Sequence, residues 1–331
     1  MSIRILSIDG GGIKGIISAK ILCALEDMLC EITGRKNVYI ANYFDLIAGT
    51  STGGILTAML LCPDENGKPK FKANDCLNMY LKYGGYIFDK SVLRSIFTLG
   101  GLFNSKYPCY NLENVLDKYF KDLRLSQLLK PCLISAYDIE NRRCVFFNKT
   151  DTCNPARDYP IKHIIRATSA APTYFPVENC CTPDIKSPMI DGGVFANNPS
   201  LCAITEAARL NGKTHFCDMF VLSLGNVVNR TEISYKSAKN WGKLNWVSPL
   251  IDIIMDGVNQ TVDYQMKTLF KTIGYPNNYL RISDEYNIEK GCPTIKMDDV
   301  SDKNICTLLE ISDDIIKCCS DKLYKFALKL I

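Results

Sequence analysis

The fold of this chain is decided by residues 44–54, which read FDLIAGTSTGG. The run from Phe44 to Ala48 is apolar except for Asp45, and such a run is typical of a strand buried on both faces of a parallel sheet. A turn of Gly, Ser and Thr follows, and apolar residues from Ile55 onward begin a helix. The segment therefore predicts a strand, a tight turn and a helix in immediate succession.

The N-terminal segment has the same order of elements. Residues 3–8 form a short apolar strand, residues 9–15 read DGGGIKG, and apolar residues then recur at helical spacing until Gly34. Further strands are predicted at 131–137, 143–148, 189–190 and 220–224, and further helices near 161, at 200–210 and from 312 to the end. This alternation favours one α/β domain with a mostly parallel sheet.

Composition excludes several classes of protein. The 331 residues carry a net charge of only +4, which argues against a nucleic-acid-binding protein and would tolerate a weakly anionic membrane surface. We find no signal peptide, and no apolar run approaches the ~20 residues of a membrane span. The 16 cysteines are therefore predicted to be reduced thiols in the cytoplasm. Their spacing predicts no metal site, and no cofactor is expected.

The turn at residues 49–53 fits the G-x-S-x-G nucleophile elbow. Ser51 would occupy a strained backbone conformation between strand and helix, where side chains at Gly49 and Gly53 would collide. The helix that follows directs its positive end at this serine, and the amide of Thr52 is a candidate oxyanion donor. The alternative is a flexible turn without function, which the flanking strand and helix make less plausible.

Two interpretations compete for the glycine loop at residues 10–15. It satisfies the dinucleotide pattern G-x-G-x-x-G, but the acid expected at the end of the second strand is missing, since Asp45 lies near its start. Alternatively, the amides of Gly10, Gly11 and Gly12 form an oxyanion hole for Ser51. Lys14 would hold this loop or attract an anionic head group, or it is simply a solvated lysine.

The general base has few candidates. The chain has two histidines, His163 and His215, and neither lies at a glycine-rich turn after a strand. Asp191 does, because it precedes Gly192 and Gly193 at the end of a predicted strand. A carboxylate within hydrogen-bond reach can accept the serine proton, and partial burial would raise its pKa. In isolation such an aspartate would be read as a turn residue or a helix cap.

Four blocks of this sequence together resemble the patatin-like phospholipases. They are DGGGIKG at residues 9–15, GTSTGG at 49–54, ATSAAPTYFP at 167–176 and DGGVFANNP at 191–199. The resemblance extends from about residue 3 to residue 224 and shows no departure within the blocks. It implies a three-layer α/β/α sandwich, with a catalytic core at residues 1–225 and a mostly helical extension at 226–331 packed on the same domain.

The resemblance also implies a Ser–Asp dyad, with Ser51 as nucleophile, Asp191 as base, and Gly10, Gly11 and Gly12 as the oxyanion hole. The 167–176 block would support the dyad, and Asn197 and Asn198 would shape the loop after the aspartate. The family cleaves acyl esters of phospholipids and galactolipids without calcium through an acyl-enzyme. The implied partners are a phospholipid or glycolipid substrate and, peripherally, a membrane surface, with no nucleic acid and no predicted oligomeric state.

Some alternatives remain open at this point. A catalytically silent lipid-binding or storage homologue would keep the same motifs without turnover. Trp241, Trp246 and the region from Gly84 to Gly101 are candidates for an interfacial element or a lid, although ordinary packing is the favoured interpretation. The amphipathic C-terminal helix is interpreted as packed on the body rather than as a membrane anchor.

Overall fold

The computed structural model describes residues 2–89, 104–182, 185–212, 215–226, 233–283 and 295–331. Within these ranges one mixed sheet contains β1 (Ile3–Ile8), β2 (Leu46–Thr50), β3 (Cys132–Asp138), β4 (Arg143–Asn148), β5 (Glu178–Thr182), β6 (Ile185–Asp191), β7 (Met219–Leu224) and β8 (Tyr279–Ile282). The α-helices are α1 (Gly15–Thr33), α2 (Thr52–Leu60), α3 (Ala73–Ile87), α4 (Tyr110–Phe120), α5 (Ile161–Thr168), α6 (Gly193–Ala196), α7 (Ser200–Asn211), α8 (Tyr235–Ala238), α9 (Lys243–Thr272) and α10 (Asp302–Leu328).

The sheet is parallel at its centre and antiparallel at one side. Its strand order is β5-β6-β3-β2-β1-β7-β8, and β4 also pairs with β3. Strands β3, β2, β1, β7 and β8 are parallel to one another, whereas β4 and β6 run antiparallel to β3 and β5 runs antiparallel to β6. The carboxyl ends of β1 and β2 therefore lie side by side, where α/β proteins place their ligand sites.

Helices cover both faces of this sheet, so the molecule has three layers. Along β1, Leu6 and Ile8 belong to a core cluster shared with α1, α2, α3 and α10, whereas Ile3 and Ile5 belong to a second cluster shared with α7 and α9. Successive side chains of a strand point to opposite faces, which places these two clusters on opposite sides of the sheet. The predicted α/β/α class, with mostly parallel strands, is confirmed.

The last third of the chain is built into this sheet. Strand β8 extends the parallel part beyond β7, and α10 packs against α1. Arg281 of β8 donates to both carboxylate oxygens of Asp9, at 2.9 and 2.6 Å, and both side chains are buried. Because Asp9 opens the glycine loop, a residue of the predicted extension anchors this loop.

The structure departs from the predicted elements in four places. The sequence analysis did not predict β5, β8 or the 30-residue helix α9, and α10 begins at Asp302 rather than at 312. Short or unusually patterned elements explain these differences, since β8 has four residues and α9 contains Pro249. The part of the lid candidate beyond residue 89 lies outside the described residues.

Three further features of the described ranges bear on the sequence predictions. No helix there combines the length and the apolar composition that crossing a bilayer requires. No cluster of three or more His, Cys, Asp or Glu side chains there could hold a metal ion. The cysteines described are free thiols, and Cys23, Cys30 and Cys202 are only partly buried.

Replacing Arg281 by leucine should destabilise the fold strongly, because it leaves the Asp9 carboxylate buried without its counter-ion. We expect the free energy of unfolding at pH 7, measured by urea titration, to fall by about 3–5 kcal/mol. The matched control is Lys20→Ala, which breaks the more exposed pair of Lys20 with Asp313 and should cost less than about 1 kcal/mol. Equal losses in the two variants would contradict this role of Arg281.

Candidate active site

Ser51 lies at the sharp turn between β2 and α2. Its backbone has φ 55° and ψ −124°, a conformation that residues with a side chain rarely adopt. A residue held in such a conformation needs support from its surroundings. The elbow predicted from the G-x-S-x-G spacing is therefore present as backbone geometry.

Several contacts hold the elbow in this conformation. The Ser51 N–H donates to the hydroxyl of Thr168 at 2.8 Å, and the Ser51 carbonyl accepts from the Gly54 N–H at 2.9 Å. A Cβ at Gly49 would overlap the backbone of Gly53, as the sequence analysis expected. A Cβ at Gly53 would instead overlap the carbonyl oxygen of Ile8, so this glycine lets α2 approach the end of β1.

The register of the sheet brings Asp191 to the level of Ser51. Thr50, the last residue of β2, pairs with Ser135 of β3, and the next residue, Ala136, pairs with Asp191 at the end of β6. Ser51 and Asp191 are therefore level with each other on the two sides of one strand. Neighbouring strands are about 4.8 Å apart, so the two side chains can meet only if the chain after β6 bends across β3.

Small residues permit this crossing. A Cβ at Gly192 would overlap both the side chain and the backbone of Ser135, so the turn after β6 lies directly on β3. The Asp191 N–H donates to the Ala170 carbonyl at 3.0 Å, and the Gly193 N–H donates to the Asp191 carboxylate at 2.7 Å. The 167–176 block therefore contacts Asp191 through Ala170, just as it contacts Ser51 through Thr168.

The two side chains meet in a buried position. Ser51 and Asp191 line the same pocket and are 7% and 3% exposed, and the Ser51 hydroxyl lies close enough to the carboxylate to favour its ionised form. Burial raises the pKa of Asp191 to about 7, although the hydrogen bonds from Ser51 and from the Gly193 amide oppose this rise. Near neutral pH the carboxyl group can therefore accept and return a proton.

Two of the three amides of the glycine loop, in the part of the chain that the structure describes, have no backbone hydrogen-bond partner, and their residues line one pocket with Ser51. The Gly10 N–H already donates to the Asn197 carbonyl at 3.2 Å. The N–H groups of Gly11 and Gly12 have no hydrogen-bond partner among the described residues. Gly12 has φ 59°, and a Cβ there would overlap the carbonyl oxygen of Met297, which itself accepts from the Ile13 N–H at 2.9 Å. Gly11 and Gly12 therefore remain candidates for oxyanion donors, whereas the Gly10 amide is already used within the structure.

An apolar cleft of about 680 Å³, including its open mouth, begins at Ser51. Gly11, Gly12, Thr52 and Asp191 line its floor together with Ser51. Its walls are mostly apolar side chains of α2, α3, α4, α9 and the 167–176 block, among them Ile55, Met79, Ile87, Phe88, Leu112, Tyr174, Phe175 and Met255. Such an apolar lining suits the hydrocarbon part of a substrate whose polar group lies beside Ser51.

A separate polar cleft of about 410 Å³ lies on the other side of the glycine loop. Lys14 lines this cleft and not the apolar one, together with Asp252 and Asp256 of α9. Burial raises the pKa of Asp252, and the positive charge of Lys14 opposes that rise. The lysine therefore lies behind the loop and is 9% exposed.

The remaining candidates from the sequence lie away from the apolar cleft. His163 hydrogen-bonds through Nδ1 to Glu178 at 2.8 Å, and His215 precedes a short helix before β7. Neither histidine lines the apolar cleft. Asp45, the only acid of the predicted second strand, pairs with Arg4 at the opposite end of the sheet, so the dinucleotide interpretation lacks its ribose-binding acid.

Sequence reasoning missed three residues that support the site. Thr168 holds the Ser51 amide, and Ser135 provides the small surface that the Asp191 turn crosses. Asn226 donates from its side chain to the Gly10 carbonyl at 2.8 Å and so fixes the glycine loop from beyond β7. Thr168 lies in a recognised block, but its role depends on a contact 117 residues distant in sequence, which no local pattern reveals.

Comparison with known proteins identifies the family. Residues 6–204 match the family model described as patatin-like phospholipase. The chain belongs to this family. The match spans all four blocks and all of β1 except its first three residues, and it contains Ser51, Asp191 and the glycine loop.

Plant proteins of the patatin family match nearly the whole chain. One named "Probable inactive patatin-3-Kuras 1", from Solanum tuberosum, is 34% identical over 333 residues, covering 95% of this chain and 86% of its own length. "Patatin-04/09" from the same species is 34% identical over 335 residues, with coverage of 95% and 84%. "Patatin-like protein 3" from Arabidopsis thaliana is 33% identical over 355 residues, with coverage of 95% and 81%. The similarity therefore continues into the last third of the chain.

The buried carboxyl group should make the stability of this patatin-like fold depend on pH. Because burial raises the Asp191 pKa from 3.8 to about 7, the folded state binds more protons than the unfolded state between these values, and stability falls as pH rises through them. In an Asp191→Asn variant this side chain cannot titrate, so its stability does not fall with pH for this reason. We expect its free energy of unfolding, relative to the parent chain, to increase from about pH 4 to about pH 7 and then level off. A difference that does not change with pH would contradict the raised pKa.

Proposed function

We propose that this patatin-like chain is a calcium-independent lipid acyl hydrolase of the phospholipase A type. One observation carries the proposal: a serine at a positive-φ elbow shares a pocket with a buried carboxyl group whose pKa burial raises to about 7. The pair lies at the floor of an apolar cleft, beside two backbone amides that have no other partner in the described ranges. This arrangement supplies the nucleophile, the base and the oxyanion donors of acyl transfer.

In the acylation half-reaction, Ser51 Oγ attacks the ester carbonyl carbon while Asp191 receives the hydroxyl proton. The negative charge that develops on the carbonyl oxygen is stabilised by the amides of Gly11 and Gly12, with the amide of Thr52 at the N-terminus of α2 as a further donor. The C–O bond to the head-group alcohol then breaks. Asp191 returns its proton to the departing alkoxide, which leaves the fatty acid esterified to Ser51.

In the deacylation half-reaction, water takes the place of the departed alcohol. Asp191 accepts a proton from this water as its oxygen attacks the acyl-serine carbonyl, and the same amides stabilise the second oxyanion. Collapse of the intermediate releases the fatty acid, and the proton passes from Asp191 to Ser51 Oγ. Every proton is transferred through one carboxyl group, and no step is assigned to a metal ion.

The apolar cleft supports a long-chain acyl substrate. Side chains from five elements enclose it, and Ser51, Thr52 and Asp191 lie together in its lining, so the ester carbonyl of a bound chain would lie at Ser51. The family relationship supports phospholipids or galactolipids as the substrate class. Head groups would remain outside the apolar cleft, towards solvent or a membrane surface.

A catalytically silent homologue is the alternative function, because one similar potato protein carries the name "Probable inactive patatin-3-Kuras 1". Such a protein would bind lipid in the cleft without turnover. The raised pKa of Asp191 argues for the active form, since a storage protein gains nothing from a buried carboxyl group that destabilises the fold at neutral pH. Turnover measurements separate the two functions directly.

The proposal is tested by fatty-acid release from mixed phospholipid and galactolipid micelles in the presence of a calcium chelator. Ser51→Ala and Asp191→Asn should each lower kcat by at least about a thousandfold, because the nucleophile and its base act as a unit. The control is Ser18→Ala, a buried serine of α1 distant from the cleft, which should keep full activity. Undiminished release by Ser51→Ala would refute the mechanism.

The pH profile provides an independent check of the base. Attack requires the ionised carboxylate, so kcat/KM of the unmodified chain should rise with pH and reach a plateau above an apparent pKa of about 7. A plateau already complete at pH 5, or an inflection shared with Asp191→Asn, would assign the base to another group.

Thr168 is predicted to be a positioning residue. Thr168→Val keeps the side-chain volume but leaves the Ser51 amide without its acceptor, which costs about 1–3 kcal/mol in a buried site and lets the elbow relax. We expect kcat to fall by about tenfold or more with little change in KM, and Thr168→Ser to restore most of it. If Thr168→Val loses stability but keeps its kcat, the contact is structural only.

A further inference from the structure

The first half of helix α9 directs polar residues towards the body and several apolar residues outward, whereas its second half buries Met266 and Phe270 in the core. Its partly buried side includes Asp252, Asp256 and Asn259, which line the polar cleft behind the glycine loop. Its outer side includes four residues, which we call the α9 apolar face, and their exposed fractions lie between 39% and 44%: Trp246, Leu250, Ile253 and Ile254. An amphipathic helix packed on a soluble body has the reverse arrangement.

The four residues of the α9 apolar face form one continuous stripe. They follow the spacing i, i+4, i+7 and i+8, which places them on the same side of an α-helix. Trp241 extends the stripe beyond the start of the helix, where its ring packs edge-on against Trp246 with centroids 5.2 Å apart. The sequence interpretation favoured ordinary packing for these tryptophans, but Trp246 is 39% exposed. A contiguous exposed apolar patch of this kind marks an interaction surface.

The α9 apolar face lies beside the proposed acyl-binding cleft. Met255, the residue directly after Ile254, lines this cleft together with Ser51. One turn of α9 therefore contributes both to the wall of the cleft and to the exposed stripe. A lipid that enters the cleft from a surface bound at the stripe would travel only a short distance.

The charged residues that directly precede the α9 apolar face in the chain are all positive, whereas Asp252 and Asp256 lie on the partly buried side of the helix. Residues 233–251 contain Lys236, Lys239 and Lys243 and no acidic residue, and the three lysines are exposed. Anionic lipid head groups would complement these charges. Tryptophan rings beside lysines are also typical of segments that lie at a membrane interface.

We propose that the α9 apolar face, with its three flanking lysines, is the surface through which this chain docks on an anionic phospholipid bilayer. The stripe would enter the boundary between head groups and acyl chains, and the lysines would contact the head groups. A two-fold contact between copies of the chain fits less well, because it would bring the same lysines together. The inference rests on the proposed function only in explaining why the chain would dock, because docking itself does not require turnover.

Intrinsic fluorescence tests the proposal directly, because Trp241 and Trp246 are the only two tryptophans of the chain. The probe is the Ser51→Ala chain, which leaves the lipid intact, mixed with vesicles of phosphatidylcholine alone or with added phosphatidylglycerol. We expect a blue shift of the emission with the anionic vesicles, and quenching when the acyl chains are brominated. An unchanged spectrum and no quenching with anionic vesicles would overturn the proposal.

Surface variants identify the residues that bind. Leu250→Ser, Ile253→Ser and Ile254→Ser combined should weaken vesicle binding, measured by flotation, by about 10- to 100-fold. The matched control combines Tyr324→Ser and Leu328→Ser, two exposed apolar residues of α10, and should bind as the parent does. Equal binding by both combined variants, or equal loss in both, would overturn the assignment to α9.

Replacing Lys236, Lys239 and Lys243 by alanine tests the electrostatic part. Each lysine should contribute about a fivefold increase in affinity for anionic vesicles, and this contribution should decline with added salt. If the parent chain instead self-associates in sedimentation, and the α9 serine substitutions abolish that association without changing vesicle binding, a second copy is the occupant and the proposal fails.

A soluble short-chain ester separates this inference from the proposed function. The α9 serine variant, made with Ser51 intact, should hydrolyse p-nitrophenyl butyrate at the parental rate, because none of its three changes lies in the cleft. A parent chain that binds vesicles but hydrolyses no ester would refute the hydrolase and leave the docking surface intact. A chain that hydrolyses the ester but never binds anionic vesicles would refute the docking surface and leave the hydrolase intact.

Discussion

The register between β2, β3 and β6 is the constraint on which the rest of the site depends. Thr50 pairs with Ser135 and Ala136 pairs with Asp191, so the elbow and the carboxylate lie level on the two sides of one strand. The gap between them is closed only because Gly192 can lie directly on Ser135. A one-residue slip of either pairing would turn the Asp191 side chain to the opposite face of the sheet and separate it from Ser51.

Two stability costs accompany this geometry, and separate parts of the fold offset them. Ser51 occupies a strained backbone conformation that the Thr168 hydroxyl and the start of α2 maintain, and Asp191 is buried at a level that raises its pKa to about 7. On the other side of Ser51, the glycine loop is held by segments from the last third of the chain, through Arg281 on Asp9 and Met297 on Ile13. The last third therefore completes the site, although the recognisable motifs end before it.

Much of the fold and most of the candidate site could be predicted from the sequence, because the informative residues lie at turns whose geometry is local. A G-x-S-x-G turn between a strand and a helix has few structural solutions, and a glycine-rich turn after a strand places Asp191 at a sheet edge. The rest depends on distant contacts. The occupied Gly10 amide depends on Asn197, and β8 is too short to show a period. Helix α9 was missed because Pro249 interrupts its pattern and several apolar residues of its first half face outward.

The central claim is that one hydroxyl, that of Ser51, is activated by the buried carboxylate of Asp191 to attack an acyl group. Mapping the site of a fluorophosphonate adduct by mass spectrometry of the digested chain tests this claim most directly, because the probe labels only an activated nucleophile. The account predicts a single adduct on the peptide containing Ser51, formed in the unmodified chain and strongly slowed in Asp191→Asn. An adduct on any other serine or on a cysteine, or equally fast labelling without the Asp191 carboxylate, would contradict it.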